Sequence, residues 1–171
     1  MTISMSSASL PICMTMLGNL AHMLDKAQVF VDTRKCDPSA LTLYRLAPDM
    51  LPFTRQIQIA CDAAKNGIAR IGGIEAPKFD DTETTLAELK ARIGKTLDFL
   101  KTVPASALDG TETKDITFPV GKDATRTMQS EAYLKHWMLP NLFFHVTMAY
   151  AILRHNGVDL GKRDYLLGAA G

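Results

Sequence analysis

The sequence predicts an all-α protein, a four-helix bundle with a short β-hairpin between the third and fourth long helices. Three observations support this prediction. Apolar residues recur at three- and four-residue spacing in four long segments, which is the period of an amphipathic helix. Capping residues, prolines or glycines stand near the ends of these segments. Between the third and fourth segments, apolar and polar residues alternate around a glycine, as in a hairpin.

The first long helix is predicted at residues 9–33. Ser9 can serve as its N-cap, and Pro11 lies in the first turn, where a missing N–H does no harm. One face of this helix carries the apolar stripe that we expect to be buried: Leu10, Cys13, Met14, Leu17, Ala21, Leu24 and Val31. After a charged exit that contains a proline, residues 39–45 predict one or two further helical turns.

The second long helix is predicted to begin at Asp49, which is a good N-cap, and to end at Gly72 and Gly73. Pro52 is tolerated in its first turn. The residues at helical spacing that we expect to be buried are Phe53, Ile57, Ala60, Ala64, Ile68 and Ile71.

The third long helix has the clearest pattern. Asp80 followed by Glu83 resembles a capping box at its start. Glu88 and Arg92 are predicted to form an outward i,i+4 pair that stabilises the helix by only about 0.2–0.5 kcal/mol. The apolar stripe consists of Leu86, Leu89, Ile93, Leu97 and Leu100.

The remainder of the chain combines a hairpin with a last helix. Residues 112–129 alternate as a short β-hairpin does, and Pro119 confines it to a sheet edge. The last helix is predicted at 130–156, with a kink or break at Pro140 and Gly157 as its C-terminal stop. The tail that follows has no period and is expected to lie on the surface.

Composition limits the class of protein. The 171 residues, 47% of them hydrophobic, are expected to form one domain over 1–171. A net charge of +1 gives no field for nucleic acid or an anionic membrane, and no apolar run reaches about 18 residues. Three cysteines without CxxC spacing exclude a disulfide framework. The start of the chain lacks a basic signal region, so we expect a cytoplasmic protein without nucleic-acid or membrane partners.

Polar residues that interrupt an apolar stripe indicate the candidate site. On the last helix, Asn141 and His145 are four residues apart and point the same way, toward the predicted core. Gln56 borders the stripe of the second helix and is the nearest third polar group. Burying each without a partner would cost about 1–3 kcal/mol. The three are therefore predicted to converge, either as a satisfied core network or as a ligand or metal pocket.

Nearby residues complete the predicted pocket between the second and fourth long helices. Trp137, Met148 and Phe53 would supply apolar walls, and Tyr150 is a further candidate hydrogen-bond donor. No P-loop, GxGxxG, GxSxG or HExxH motif is present, so no catalytic residue is assigned.

Three long segments resemble an uncharacterised bacterial branch of the DinB-like superfamily. They are PNLFFHVTMAYAILRHNGVDLGKRDYLLG at the last helix, RLAPDMLPFTRQIQIACDAAKNG at the second, and FDDTETTLAELKARIGKTLDFL at the third. The resemblance covers nearly the whole chain. It implies a four-helix bundle of DinB-like topology, a homodimer, and relatives many of which are regarded as metalloenzymes, some of them thiol-dependent transferases.

The superfamily also implies a metal site, with one histidine on the second helix and an HxxxH pair on the last, followed by Leu-Arg and a glycine. The downstream Leu-Arg and glycine are present here. His145 takes the second position of the pair, Asn141 takes the first, and Gln56 falls where the other histidine is expected. Of these, His145 alone is a strong ligand for a transition metal, so the cofactor stays open: a divalent metal on a degenerate motif, or none.

Three functions are compatible with this sequence. The first is small-molecule binding through Gln56, Asn141 and His145 without catalysis. The second is a divalent-metal-dependent transferase or hydrolase that uses His145. The third is a structural or interaction protein that acts as a homodimer.

Overall fold

A computed structural model describes residues 3–170, which are mostly helical with one small antiparallel sheet. The elements are α1 (Leu10–Arg34), α2 (Ser39–Thr42), α3 (Phe53–Gly72), α4 (Leu86–Thr102), β1 (Asp115–Val120), β2 (Ala124–Gln129), α5 (Ser130–Tyr133), α6 (Leu139–His155) and α7 (Lys162–Leu167). A π-helical turn, Leu134–Met138, joins α5 to α6, and short 3-10 turns lie at Ala105–Ala107 and Gly168–Ala170.

The first helix begins and ends close to its predicted bounds. Ser9 precedes α1 as expected, but its hydroxyl makes no cap and instead donates to the Met5 carbonyl at 2.6 Å. Pro11 lies in the first turn, as predicted. At the other end Lys35 adopts a left-handed conformation, and its N–H donates to the Val31 carbonyl, which satisfies the end of the helix.

The predicted start of α3 is wrong. Asp49 does not cap this helix; Pro52 is the N-cap, in an extended conformation, and Phe53 is the first helical residue. The reason is the proline itself, because a residue that precedes proline is disfavoured in the helical region. Leu51 therefore cannot continue a helix begun at Asp49. The predicted end is confirmed, since Gly73 is left-handed with φ 63°.

The predicted capping box of α4 is displaced by five residues. Thr85, not Asp80, is the N-cap: its side chain accepts from the Glu88 N–H at 3.2 Å, and the Glu88 carboxylate accepts from the Thr85 N–H at 2.9 Å. The expected outward pair of Glu88 and Arg92 does not form. Glu88 is used in the cap, and the Arg92 side chain is buried.

The last helical segment is continuous through its proline. Pro140 has no N–H to donate to the carbonyl one turn back, and the π-helical turn immediately before it accommodates this defect. The same turn brings Met138 against Gly67 of α3 so closely that a Cβ at Gly67 would overlap the methionine side chain. The helix ends before Gly157, which has φ 90° as predicted for a C′ glycine.

The predicted hairpin is confirmed. Strands β1 and β2 pair antiparallel from Asp115 opposite Gln129 to Val120 opposite Ala124. Ile116 and Phe118 face the core, and the alternate residues of β1 are exposed.

The tail is more ordered than its sequence indicated. After two buried residues, Val158 and Leu160, it forms α7, which packs against α1. Asp164 of α7 contacts His22 Nε2 of α1 at 3.1 Å, and His22 is half-buried. The position of α7 depends on its tertiary contacts with α1. The tail sequence has no helical period from which these contacts could be predicted.

The helices pack in pairs around one apolar core. Helix α3 packs against both α6 and α4, and α1 packs against both α4 and α6. The predicted stripe of α3 is fully buried, as are most residues of the α4 stripe. Within residues 3–170, no helix is long and apolar enough to cross a membrane.

Candidate functional site

Two of the three predicted site residues meet in the interior. Gln56 lies in the first turns of α3, His145 lies near the middle of α6, and the packing of these helices brings the side chains together. The Gln56 Oε1 and His145 Nδ1 atoms are 2.7 Å apart. Gln56 is 2% exposed and His145 8% exposed, so this hydrogen bond is shielded from water.

The amide of Gln56 is held at both ends. Its Nε2 donates to the Leu51 carbonyl at 2.9 Å, so Oε1 is the end that faces the imidazole. Because Oε1 only accepts, His145 Nδ1 carries the proton and donates it. The remaining ring nitrogen, Nε2, therefore presents a lone pair. The Leu51 carbonyl thus orients the Gln56 amide, and the Gln56 amide sets the tautomer of His145.

His145 Nε2 reaches the protein surface. It makes no hydrogen bond with any residue that the structure describes, and it is not among the buried polar atoms that lack a partner. Burial, and to a smaller extent the positive charge of Arg55, together lower the pKa of His145 to about 4. At neutral pH the site is therefore an uncharged imidazole with one nitrogen anchored and the other accessible.

Asn141 does not join the pair. It is half-buried rather than interior, and within the described part of the chain its amide bonds to no other group. Among the described residues, no hydrogen bond joins Asn141 to Gln56 or His145. Asn141 lies one turn before His145 on α6, and its place in a shared ligand site stays a prediction.

Two further predicted ligand-binding residues lie away from the pair. Trp137 stacks against Phe118 of the hairpin, with ring centroids 4.9 Å apart, and is roughly 12 Å along the helix from His145. Tyr150 packs edge-on against Tyr165 of α7. The structure brings neither Trp137 nor Tyr150 to the Gln56–His145 pair, because each packs against an element whose position the sequence did not reveal.

An exposed aromatic side chain packs against the accessible imidazole. The Phe144 ring packs edge-on against His145, with centroids 5.2 Å apart, and is half-exposed. Leu51, whose carbonyl anchors Gln56, is also exposed. Arg55, the cation whose charge acts on His145, donates to Gln58 and pairs with Asp81. Sequence patterns did not single out Phe144 or Leu51, because exposed apolar residues carry no periodic signal.

The donor set does not fit a divalent metal. Gln56 has both ends of its amide engaged, so its oxygen supports His145 from behind instead of sharing a metal with it. Asn141 offers a weak amide oxygen, which leaves His145 Nε2 as the one strong ligand of the predicted set. Across residues 3–170, no three His, Cys, Asp or Glu side chains are grouped as a metal site.

Three surface cavities lie elsewhere. Two, of about 380 and 420 Å³, open between the end of α1 and the turn after α6. A third, of about 360 Å³, lies between α2, the start of α3 and the loop before α4, and includes Arg55 and Gln58. None of these three is lined by Gln56 or His145. The candidate site is thus the exposed edge of His145 and the surface beside it, outside these three cavities.

A buried ion cluster was missed by sequence reasoning. Arg92 of α4 is 1% exposed and contacts Asp62, Asp81 and Glu83 at 3.1, 3.0 and 3.1 Å. It also lies over the Phe79 ring. A signal was available, because Arg92 stands three residues after the buried Leu89, and this position faces inward on the helix.

The cluster fastens the loop between α3 and α4. Lys65 Nζ, also buried, donates to the Pro77 carbonyl at 2.6 Å and lies over the Phe79 ring. Burial opposes ionisation of Glu83, but hydrogen bonds from Gln58 and Arg92 hold the pKa of Glu83 below its ordinary value. Lys65 also pairs with Asp62, and Arg55 pairs with Asp81, so three cations face three carboxylates, which indicates a structural role.

Comparisons with known proteins agree with the fold. The model of a family described as a domain of unknown function, DUF1993, matches residues 5–166. A crystal structure of a DinB family member from Shewanella denitrificans is 41% identical to this chain, with a TM-score of 0.88 over 94% of this chain and 90% of the other. A search of curated proteins found no match. The chain therefore belongs to the DUF1993 family and is a DinB family protein.

Proposed function

We propose that this DinB family protein binds a small organic molecule at the exposed surface beside His145 Nε2, without a metal ion. The observation that carries the proposal is the hydrogen-bond chain from the Leu51 carbonyl through Gln56 to His145 Nδ1. This chain fixes one tautomer and leaves an accessible lone pair on Nε2. Specific ligand sites combine a few such oriented polar groups with apolar surface.

Each residue has a distinct part in this proposal. His145 Nε2 accepts a hydrogen bond from the ligand, and the open amide of Asn141 supplies a second polar contact one turn away. Gln56 is a positioning residue, since its amide touches the imidazole and not the ligand. Phe144 and Leu51 supply exposed apolar surface.

The alternative is a divalent-metal-dependent transferase or hydrolase that uses His145. A donated Nδ1–H is common in metal-bound histidines, because it orients the ring. The alternative nevertheless needs two more strong ligands, and Gln56 and Asn141 do not supply them. We therefore propose a binding protein rather than a metalloenzyme.

The scaffold and setting are part of the proposal. The pairwise packing of α1, α3, α4 and α6 supports a four-helix bundle of DinB-like topology in a single domain. Three free cysteines support a cytoplasmic, reducing location, which fractionation of cells that express the full chain can test.

We also propose a homodimer. Exposed apolar side chains, among them those of Leu43, Leu46, Leu166 and Leu167, supply surface that a second copy can cover. Light scattering at micromolar concentration is expected to give twice the chain mass of 18.7 kDa. A monomeric mass contradicts this part of the proposal and leaves the ligand site unaffected.

The binding proposal is tested by NMR of the full chain with phenol, benzylamine and benzoate at millimolar concentration. At least one probe is expected to shift the backbone amide signals of α6 around His145. His145→Phe is expected to abolish these shifts. His136→Phe is the matched control, because His136 is exposed on the preceding π-helical turn, and its variant is expected to retain them.

A metal-binding assay distinguishes the proposed metal-free binding protein from the metal-dependent enzyme. The protein is incubated with Zn²⁺ or Ni²⁺, desalted and analysed for bound metal. We expect well below one equivalent. One equivalent that is retained by the wild type and lost in His145→Phe would overturn the metal-free proposal. Absence of any probe-induced shift near His145 would overturn ligand binding.

A further inference from the structure

The chemistry around His145 selects a class of ligand, an inference that rests on the proposed function. We infer that the ligand presents a neutral hydrogen-bond donor, such as a hydroxyl, attached to an aromatic or other apolar ring. The donor binds His145 Nε2, and the ring packs against Phe144.

The direction of the hydrogen bond follows from the fixed amide. The Leu51 carbonyl accepts from Gln56 Nε2, which leaves Gln56 Oε1 to accept from His145 Nδ1. In this tautomer Nε2 accepts and does not donate. A carboxylate or phosphate oxygen also presents lone pairs and would repel Nε2. A hydroxyl or N–H makes the complementary contact.

The absence of net charge at this surface favours a neutral ligand. The imidazole is uncharged at neutral pH, and Asn141 and Gln56 are neutral amides. Arg55 is the cation whose charge reaches His145, and it is paired with Asp81 and hydrogen-bonded to Gln58. Because Asp81 compensates the charge of Arg55, this arginine is not free to bind an anionic ligand. A cationic ligand would find no carboxylate partner among Gln56, Asn141 and His145.

The apolar part of the ligand is indicated by Phe144. Its ring lies edge-on to the imidazole at 90° and leaves half its surface exposed, directly beside His145. Aromatic rings favour such pairing at centroid distances of about 4.5–7 Å. Leu51 is exposed on the neighbouring loop. A planar ring whose hydroxyl meets Nε2 can cover these side chains.

Four probes of similar size test the inference on the full chain at neutral pH: phenol, anisole, benzoate and benzylamine. Dissociation constants are measured from amide shifts, and ¹⁵N signals of the histidine rings report on Nε2. Phenol is expected to bind His145 roughly three- to tenfold more tightly than anisole, which lacks the donor, since this is the usual range for one hydrogen bond. Benzoate and benzylamine are expected to bind more weakly than phenol. Phenol is expected to move the Nε2 signal of His145.

Neighbouring phenylalanines give a matched pair of variants. Phe144→Ala is expected to weaken the binding of phenol and of anisole to the same extent, because it removes the ring against which both pack. Phe143→Ala removes the same side chain one position earlier and is expected to leave both constants unchanged. Both residues are exposed, so neither change threatens the core.

The outcomes distinguish this inference from the function on which it rests. Tightest binding of benzoate or benzylamine at His145, or equal binding of anisole and phenol, overturns the ligand class while ligand binding stands. No probe bound at His145 overturns both. Should His145→Phe fail to fold, the Nε2 signal of the wild-type protein decides whether a probe binds there.

Discussion

Replacing Arg92 with methionine tests whether the buried ion cluster holds the loop between α3 and α4. The guanidinium is 1% exposed and contacts three carboxylates at 3.0–3.1 Å. It also donates to the Asp80 carbonyl at 3.1 Å. Methionine has a similar length and no charge, so Arg92→Met removes these contacts and leaves the carboxylates in place.

The cost of this change is worked from the exposure of the partners. Removal of one member of a buried ion pair costs about 3–5 kcal/mol. Asp62 and Asp81 are exposed by more than a third and can be rehydrated, whereas Glu83 is only 12% exposed. Arg92 Nε is buried without a partner in the described structure, so its loss offsets part of the cost. We therefore expect about 3 kcal/mol, the lower end of the range.

Urea unfolding and thermal unfolding measure the effect. A loss of this size lowers Tm by about 6–12 °C in a chain of this length. Lys90→Met is the matched control, because Lys90 lies on the same helix and pairs with Asp25 on the surface; it should change stability by less than about 0.5 kcal/mol. In the double variant, Glu83→Gln is expected to recover part of the loss.

Two results would contradict a stabilising role of the cluster. If Arg92→Met is as well tolerated as Lys90→Met, the cluster contributes nothing to stability. Strict additivity of Arg92→Met and Glu83→Gln would show that the two residues do not interact in solution.

Three further predictions concern packing, capping and pH. Gly67→Ala should cost about 1–3 kcal/mol, because its Cβ overlaps Met138; Gly94→Ala, with nothing within 4 Å of its Cβ, should stabilise by about 0.5–1 kcal/mol in the same urea assay. Thr85→Ala should lower the free energy of unfolding by about 1 kcal/mol, since it removes the cap of α4. The pKa of His145 is lowered from 6.5 to about 4 in the folded protein. The stability it contributes is therefore complete above pH 6.5 and lost as the pH falls through about 4. Between these two pH values, the free energy of unfolding of the wild type should fall by about 3 kcal/mol more than that of His145→Gln. Urea unfolding at a series of pH values measures this difference.

Much of the secondary structure followed from local rules. The long helices and the hairpin were predicted because their apolar periods are strong, and Gly73 and Gly157 end helices because glycine tolerates positive φ. The starts of α3 and α4 were misplaced, since several nearby residues can cap a helix. The conformational restriction before Pro52 decides one start, and the reciprocal bonds of Thr85 decide the other.

The candidate site was predicted from polar residues within or beside a buried stripe. His145 interrupts the stripe of α6, Gln56 borders that of α3, and the structure joins them. Asn141, predicted on the same stripe as His145, is half-buried. Trp137 and Tyr150 were misplaced because their partners, Phe118 and Tyr165, belong to the hairpin and to α7. Such contacts arise between distant parts of the chain, and periodicity does not report them.

The proposed ligand site depends on Gln56 holding His145 as a neutral imidazole with a proton on Nδ1 and a free lone pair on Nε2. Long-range ¹H–¹⁵N NMR of the histidine rings at pH 7 reports the protonation of each ring nitrogen. We expect His145 to show a protonated Nδ1 and an unprotonated Nε2. A proton on Nε2, or an imidazolium signal at this pH, would show that Gln56 does not set this tautomer.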